Sequence, residues 1–497
     1  MNTPLFKATG RIGATPFAFG LIASYALVAC GYAQTVAPLA TGASASTTSR
    51  VALASDQSLK LSDLAGSTTI DLPGLDDDSA ASANVAARAI SLPNAVAQAL
   101  RNSAQLSQVR AQYESSEARV GVTRADLLPN ASLRWASGPE KSESTTIATG
   151  LNNHQYTSQS ARLTQPLFNI PLYKEFDSSR QSKDATALRL QAMRETTALA
   201  AARATVDLAV ARITLNFSDD QLDQLNKILS YLEARTSAGA ASQADLERAR
   251  TRVLAARQTR LEQQTNYSNA IQEIYRLTGA SAQTLQLPSV NQLPAIPGTN
   301  NQIREMVKAK NFELLALKKE VDAQQSLVTA EYTKYLPVIG ASLEYDSTEN
   351  VSGTNAPFTN TRVALIVMTW NLSSGGKEYF AAQQASAELR SRQAKLDDET
   401  QRTTQATEAD LTLLQSSSLR LQAAQAEQTS AQSVVNAVNE QLKTGRMGSL
   451  LEALDASDRL FGARSRITQA LGQQMKAHTQ LLNRLGLLSD VQSQSNL

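Results

Sequence analysis

Two stretches of this chain lack any helix breaker over an unusual length, and this constrains the fold more than any other feature. Between Pro171 and Gly239, and again between Gly376 and Gly445, there is neither proline nor glycine. Each span is roughly 70 residues, so at about 1.5 Å per residue a continuous helix reaches roughly 100 Å. Globular helices are rarely that long, and a pattern sustained over such a length points to coiled coil. Leu222, Leu225, Leu229 and Leu232 mark a near-heptad seam on the first span, and Val435, Val438 and Leu442 do so on the second. Past each terminal glycine the chain returns. Leu246, Ala249, Val253 and Ala256 form one apolar stripe, and Leu450, Leu454 and Phe461 form another. Two long antiparallel helical hairpins are expected.

The hairpins are copies of one unit. The turn segment running from Ser237 to Glu247 is matched by Thr444 to Asp455, with Ser242 and Ser449 separated by 207 positions. The same shift carries Asp245 onto Glu452, Ala249 onto Ala456 and Gly279 onto Gly486. A period this long is a duplicated domain rather than a solenoid. The expected units are residues 91–290 and 291–490, followed by a tail at 491–497. Each opens on a helix, the first near Ser91-Leu92-Pro93 with Ser91 as its cap, running towards Leu128-Pro129. The second starts after Pro297-Gly298 and ends at Leu336-Pro337.

After each of these prolines the period changes from helical to alternating. Ala131, Leu133 and Trp135 alternate with Ser132 and Arg134, and Ile339, Ala341, Leu343 and Tyr345 alternate with Gly340, Ser342, Glu344 and Asp346. Such alternation describes strands with one apolar and one polar face. Loops rich in Ser, Thr, Gly and Asn follow at 137–155 and 347–357. Return strands then run through Ala161, Leu163 and Leu167, and from Arg362 to Trp370. The run Val363 to Met368 is apolar on both faces.

Composition excludes several classes. With a net charge of +2 and no basic run, a nucleic-acid footprint is absent. Cys30 is the only cysteine, and the two histidines, His154 and His478, lie far apart in sequence, so neither a disulfide nor a helical metal-ligand pair is available. No phosphate loop or catalytic constellation appears, and no cofactor is expected. Residues 1–33 read as an export signal, with Lys7 and Arg11 ahead of an apolar run from Ile12 to Ala29 and a cleavage site after Ala33. Leu27-Val28-Ala29-Cys30-Gly31 also resembles a lipoprotein box, in which Cys30 becomes the acylated first residue. Residues 34–90, rich in Ala, Ser and Thr with acidic Asp76, Asp77 and Asp78, read as a flexible leader.

Four amphipathic strands cannot close a membrane barrel, because their edges leave unpaired backbone groups in lipid. Copies must therefore share one, and three copies supply twelve strands with the polar faces lining the opening.

In this order of elements, in Gln165-Pro-Leu-Phe-Asn169 opening a long helix, echoed by Thr369-Trp-Asn371, and in Ser449-Leu-Leu-Glu-Ala-Leu-Asp-Ala456 past the second turn, the chain resembles the TolC-like outer-membrane channel-tunnels over about residues 91–487. The resemblance implies a homotrimer with a twelve-stranded barrel in outer-membrane lipid and a helical tunnel across the periplasm. It also implies a periplasmic adaptor and an inner-membrane ABC or proton-driven transporter as partners. Glu452 and Asp455 resemble the acidic residues that form rings at the family's periplasmic constriction. Their spacing of three places both on one helix face; the plain alternative is a pair of solvated surface charges. Asp245 resembles a residue that holds the tip shut against an arginine, for which Arg446 is the candidate here. Type I protein secretion is the preferred role, because the Gly-Pro-Asp-Tyr type of segment carried by multidrug efflux lipoproteins is not found. Drug or metal efflux is the alternative, favoured by the lipoprotein box at Cys30. A periplasmic adaptor is a remote alternative, since it needs one hairpin and compact β domains.

Overall fold

The computed structural model describes residues 60–72, 89–141, 153–280, 284–289, 293–296, 298–349, 358–372, 374–444 and 450–490. Among them the long breaker-free spans are continuous helices. Helix α4 runs Ile170–Ser237 over 68 residues and α8 runs Lys377–Lys443 over 67. Their return partners are α5, Gln243–Thr278, and α9, Leu450–Arg484. The first residues of α4 and α8 are 207 positions apart, as are those of α5 and α9. Gly239 ends the first long helix in the left-handed region at φ 70°, where a side chain would be strained. Ser242 then caps α5 by accepting from the Ala244 N–H.

The helix expected from Ser91 is in fact two, α2 (Leu92–Asn102) and α3 (Ala104–Ala125), and its counterpart is likewise split into α6 (Asn300–Lys310) and α7 (Phe312–Thr333). Ser91 caps α2 as expected, accepting from Asn94 N–H. The breaks have a local cause. Ser103 and Asn311 adopt extended backbone and use their side chains to cap the following helix, Ser103 accepting from Leu106 N–H and Asn311 from Glu313 and Leu314 N–H. Short polar side chains compete with the helical ladder in this way. Each break also holds a hairpin end. Asn102 donates to the Thr278 carbonyl at the end of α5, and Asn311 to the Arg484 carbonyl at the end of α9 at 3.3 Å.

Strands β3 (Asn130–Lys141), β4 (Asn153–Phe168), β6 (Val338–Glu349) and β7 (Phe358–Thr369) form one antiparallel sheet in the order β3-β4-β6-β7. They run further than composition suggested, into the Ser- and Thr-rich segments expected as loops at 137–155 and 347–357, because pairing there is made by the backbone; Ser137 still faces Thr157. Directly paired residues share a face. One face therefore carries the rows Ala131-Leu163-Leu343-Ala364 and Leu133-Ala161-Tyr345-Arg362, and the other carries Ser132-Arg162-Glu344-Val363 and Arg134-Ser160-Asp346-Thr361. On the polar face Arg162 and Glu344 pair across strands at 3.1 Å. Leu133 is 87% exposed and Ile366 77%, so the apolar face lies open in one copy. In the doubly apolar run of β7, Ile366 and Met368 on one face and Leu365 and Val367 on the other are all exposed in one copy.

The segment expected as a flexible leader contains ordered structure. Helix α1 (Leu61–Ala65) and strand β1 (Thr69–Asp71) lie within it, and β1 joins β2 (Ala89–Ile90) and β5 (Thr284–Gln286) in a small sheet ordered β1-β5-β2. Leu61 and Ile70 are buried with Leu208 and Ile213 of α4 and Ile467 and Leu471 of α9. This strap crosses both hairpins, and burial of a few apolar side chains orders it. The far end of the described chain is also fastened. Glu195 of α4, 3% exposed, accepts from the N–H groups of Leu488 and Ser489 at 3.0 and 3.1 Å and from the Ser489 hydroxyl at 2.5 Å. Burial outweighs these bonds and pushes its carboxyl above the usual range.

Candidate functional site: the tip of the helical hairpins

At the far end of the hairpins from the sheet, all four long helices meet around one apolar core. Leu225, Ile228 and Leu232 of α4, Leu246 and Val253 of α5, Val435 and Val438 of α8, and Leu454 and Leu460 of α9 fill it. Leu225, Leu232, Leu246, Val253, Val435, Val438 and Leu454 come from the expected seams, with Leu222 and Leu229 at the margin; Phe461, also expected there, packs against a separate core instead, and the side chains of Leu442 and Leu450 lie outside the described ones. The tip core joins the two hairpins to each other near their ends.

Charged groups ring this core. Glu452 lies exposed in the first turn of α9, and Asp455, one turn on, is half-buried. Asp455 faces two arginines, Arg252 of α5 at 3.9 Å and Arg459 of its own helix at 4.0 Å. Arg252 makes its closer contact with Asp458, at 2.9 Å, and Asp458 also accepts from Gln221 of α4 at 2.9 Å. Further ties run between the hairpins: Gln224 donates to Asn439 at 2.6 Å, and Arg464 pairs with Asp220 at 2.9 Å while stacking over the Phe217 ring.

Asp245 occupies the first turn of α5, as its alignment with Glu452 requires, and pairs with Arg248 of the same helix at 3.1 Å. Its candidate partner Arg446 lies outside the described residues, as does Cys30. The two tips differ in charge at one matched position. The shift of 207 places Arg248 on Asp455 and Arg252 on Arg459, so a position that is basic in the first tip is acidic in the second, where Glu452, Asp455 and Asp458 follow one another at a spacing of three. Arg252 and Asp458 were missed from sequence, although Asp458 continues the three-residue spacing of Glu452 and Asp455.

His478 is buried on α9, with Nε2 3.0 Å from the Pro294 carbonyl, and burial lowers its pKa. His154 is the second residue of β4, and among the described residues no cluster of His, Cys, Asp or Glu fit for a metal ion is present.

The model of the outer membrane efflux protein family matches residues 95–280 and 303–487, one match for each repeat. The chain belongs to that family. Outer membrane efflux proteins are transport channels rather than enzymes, and this one is an outer-membrane channel with its long helices forming a periplasmic tunnel. Among relatives, it is 23% identical over 416 residues to the proteases secretion protein PrtF of Dickeya chrysanthemi, covering 81% of this chain and 90% of that protein. It is 21% identical over 405 residues to the alkaline protease secretion protein AprF of Pseudomonas aeruginosa, covering 79% and 83%. Its fold matches the outer-membrane channel OprN with a TM-score of 0.71 at 16% identity, over 84% of this chain and 98% of that one. It matches the CmeC outer membrane channel of Campylobacter jejuni with a TM-score of 0.70 at 16% identity, over 80% and 85%.

Proposed function

We propose that this outer membrane efflux protein is the exit duct of a type I protein secretion system. It works as a homotrimer engaged by a periplasmic adaptor and an inner-membrane ABC transporter. The observation that carries the substrate class is that both curated relatives, each aligned over about four-fifths of this chain, are protease secretion proteins. The trimer is supported by the sheet. Its edges, β3 and β7, run in opposite directions because four strands alternate, so copies joined edge to edge continue an antiparallel ring. Unpaired edge groups in lipid are costly, and three copies give twelve strands, enough for an open lumen. Charged rows on one face favour that face as the lumen lining.

The tip is the gate of this duct. Glu452 and Asp455 give the mouth negative charge, tripled around the axis of a trimer, which favours cations. Asp245 acts within its own hairpin through Arg248, and Arg252 joins the first hairpin to the second through Asp458 and Asp455.

Deletion of the protein in its host, with complementation, tests the substrate class. Loss of a secreted protease from the medium with unchanged tolerance to drugs and metals is expected. Normal secretion with lost drug or metal tolerance would transfer the protein to efflux.

A further inference from the structure

The apolar face of the sheet carries a cation that no carboxylate of the described strands can reach. Arg362 shares a row with Leu133, Ala161 and Tyr345, and its guanidinium carbon lies 5.6 Å from the centroid of the Tyr345 ring. A cation over a ring face is held by the ring's π charge, an attraction that does not occupy the five N–H donors of the guanidinium. Glu344, in the adjacent row, lies on the opposite face and pairs with Arg162. Glu349 shares the apolar face but sits four residues beyond Tyr345, roughly 13 Å along the strand. A second copy joined at the β7 edge brings no partner either. Its β3 sets Ala131, Leu133, Trp135 and Ser137 on this face, and Glu140 falls on the other.

The height of Arg362 on the sheet identifies what reaches it. The row above, Trp135-Gln159-Ser347-Asn360, turns polar, so Arg362 occupies the last apolar row towards the strand ends remote from the helices. Below it Ala364, Ile366 and Met368 continue the face down to Trp370, which donates its indole N–H to the Tyr335 carbonyl at 3.0 Å where strands give way to helices. From Arg362 to Trp370 is eight residues, roughly 26 Å along the strand, or about 20 Å along the membrane normal at a tilt of about 40°. That is close to the apolar band of about 25 Å that barrels present between aromatic girdles. An arginine on the lipid face is tolerated at such a margin and costly nearer the middle.

We propose, on the reading that this sheet is one part of a membrane barrel wall, that Arg362 with Tyr345 is a docking point for a phosphorylated lipid headgroup of the outer leaflet. Tyr345 keeps the guanidinium close to the barrel wall, and its forked donors take a phosphate in a paired, charge-assisted contact. Trp135, one row further out, lies at headgroup level on the same face.

Purified protein in nanodiscs of a phosphate-free galactolipid doped with lipid A, which carries two phosphates, tests the site, with bound lipid A counted by native mass spectrometry. Arg362→Gln is expected to retain lipid A about tenfold more weakly, as for one lost hydrogen-bonded contact to a charged group. Arg134→Gln, on the polar face, is expected to retain it like the wild type. Equal retention by Arg362→Gln, or equal loss in Arg134→Gln, overturns the proposal. Equal retention of dephosphorylated lipid A by the wild type also overturns it, and needs no variant to insert. Displacement of lipid A by millimolar inorganic phosphate would mark a free-anion site instead and count against a lipid. Single-channel conductance is read on the same samples: its absence in the wild type faults the channel reading, whereas its presence with unchanged lipid retention in Arg362→Gln faults only the lipid site.

Discussion

Replacing Arg252 by Ala removes a tie between the two hairpins at the tip, and its effect follows from the geometry. Its contact with Asp458 is short, 2.9 Å, but the side chains are 47% and 32% exposed, and the second contact, to Asp455, is 3.9 Å. Solvent-exposed pairs of this kind are worth about 0–1 kcal/mol each. In the proposed trimer, at about 0.5 kcal/mol per copy, three copies sum to about 1.5 kcal/mol, or roughly a tenfold shift in the open population. Asp458 keeps its hydrogen bond from Gln221, so the fold is not left with a stranded carboxylate. In planar bilayers Arg252→Ala is expected to raise the fraction of time spent in the high-conductance state about tenfold. The rise shrinks in concentrated salt, where the tie is already screened. Arg248→Ala is the control, because Arg248 pairs with Asp245 inside one helix and ties nothing across the tip. Unchanged gating in Arg252→Ala, or an equal rise in Arg248→Ala, would refute the assignment of Arg252 as the tie.

Replacing Glu452 and Asp455 together by Ala is expected to weaken cation selectivity in bilayer recordings; unchanged reversal potentials would leave these as ordinary surface charges. His478 is buried and its pKa is lowered, so the unfolded chain binds the proton more readily; stability is fully present above the ordinary value of 6.5 and is lost as pH falls through the folded value. Thermal unfolding followed downward from neutral pH should show that loss in the wild type and less of it in His478→Gln. Gly486 has φ +69°, and a Cβ there would meet the Phe312 ring at 2.7 Å, so Gly486→Ala should cost about 1–3 kcal/mol in denaturant titrations. Epitopes inserted near Gly150 and Gly353, in the segments joining the strands, should be labelled on intact cells; labelling only after permeabilisation would invert the topology.

Much of the architecture was legible because it rests on repetition and period. The lengths of α4 and α8 follow from the absence of Gly and Pro, and the two faces of the sheet follow from the alternation around Leu133 and Leu343. The correspondence of α5 with α9 follows from the shift of 207 positions. These are properties of neighbouring residues, and neighbouring residues are what a sequence displays. Family membership was legible for the same reason, since the order of elements survives at identities near 20%.

What the tertiary structure alone decided depends on residues far apart in the chain. The strap at Leu61 and Ile70 has no period of its own and is ordered by α4 and α9, more than a hundred residues away. The breaks at Ser103 and Asn311 arise where a short polar side chain outcompetes the helical ladder and a neighbouring asparagine or the capping residue itself secures a distant helix end. The partners of the tip charges were the least legible. Asp245 turns to Arg248 three residues away, whereas Arg252 reaches Asp458, which is 206 residues distant. Charge pairing depends on which side chains the packed helices bring within about 4 Å, and only the docking of one hairpin on the other fixes that distance.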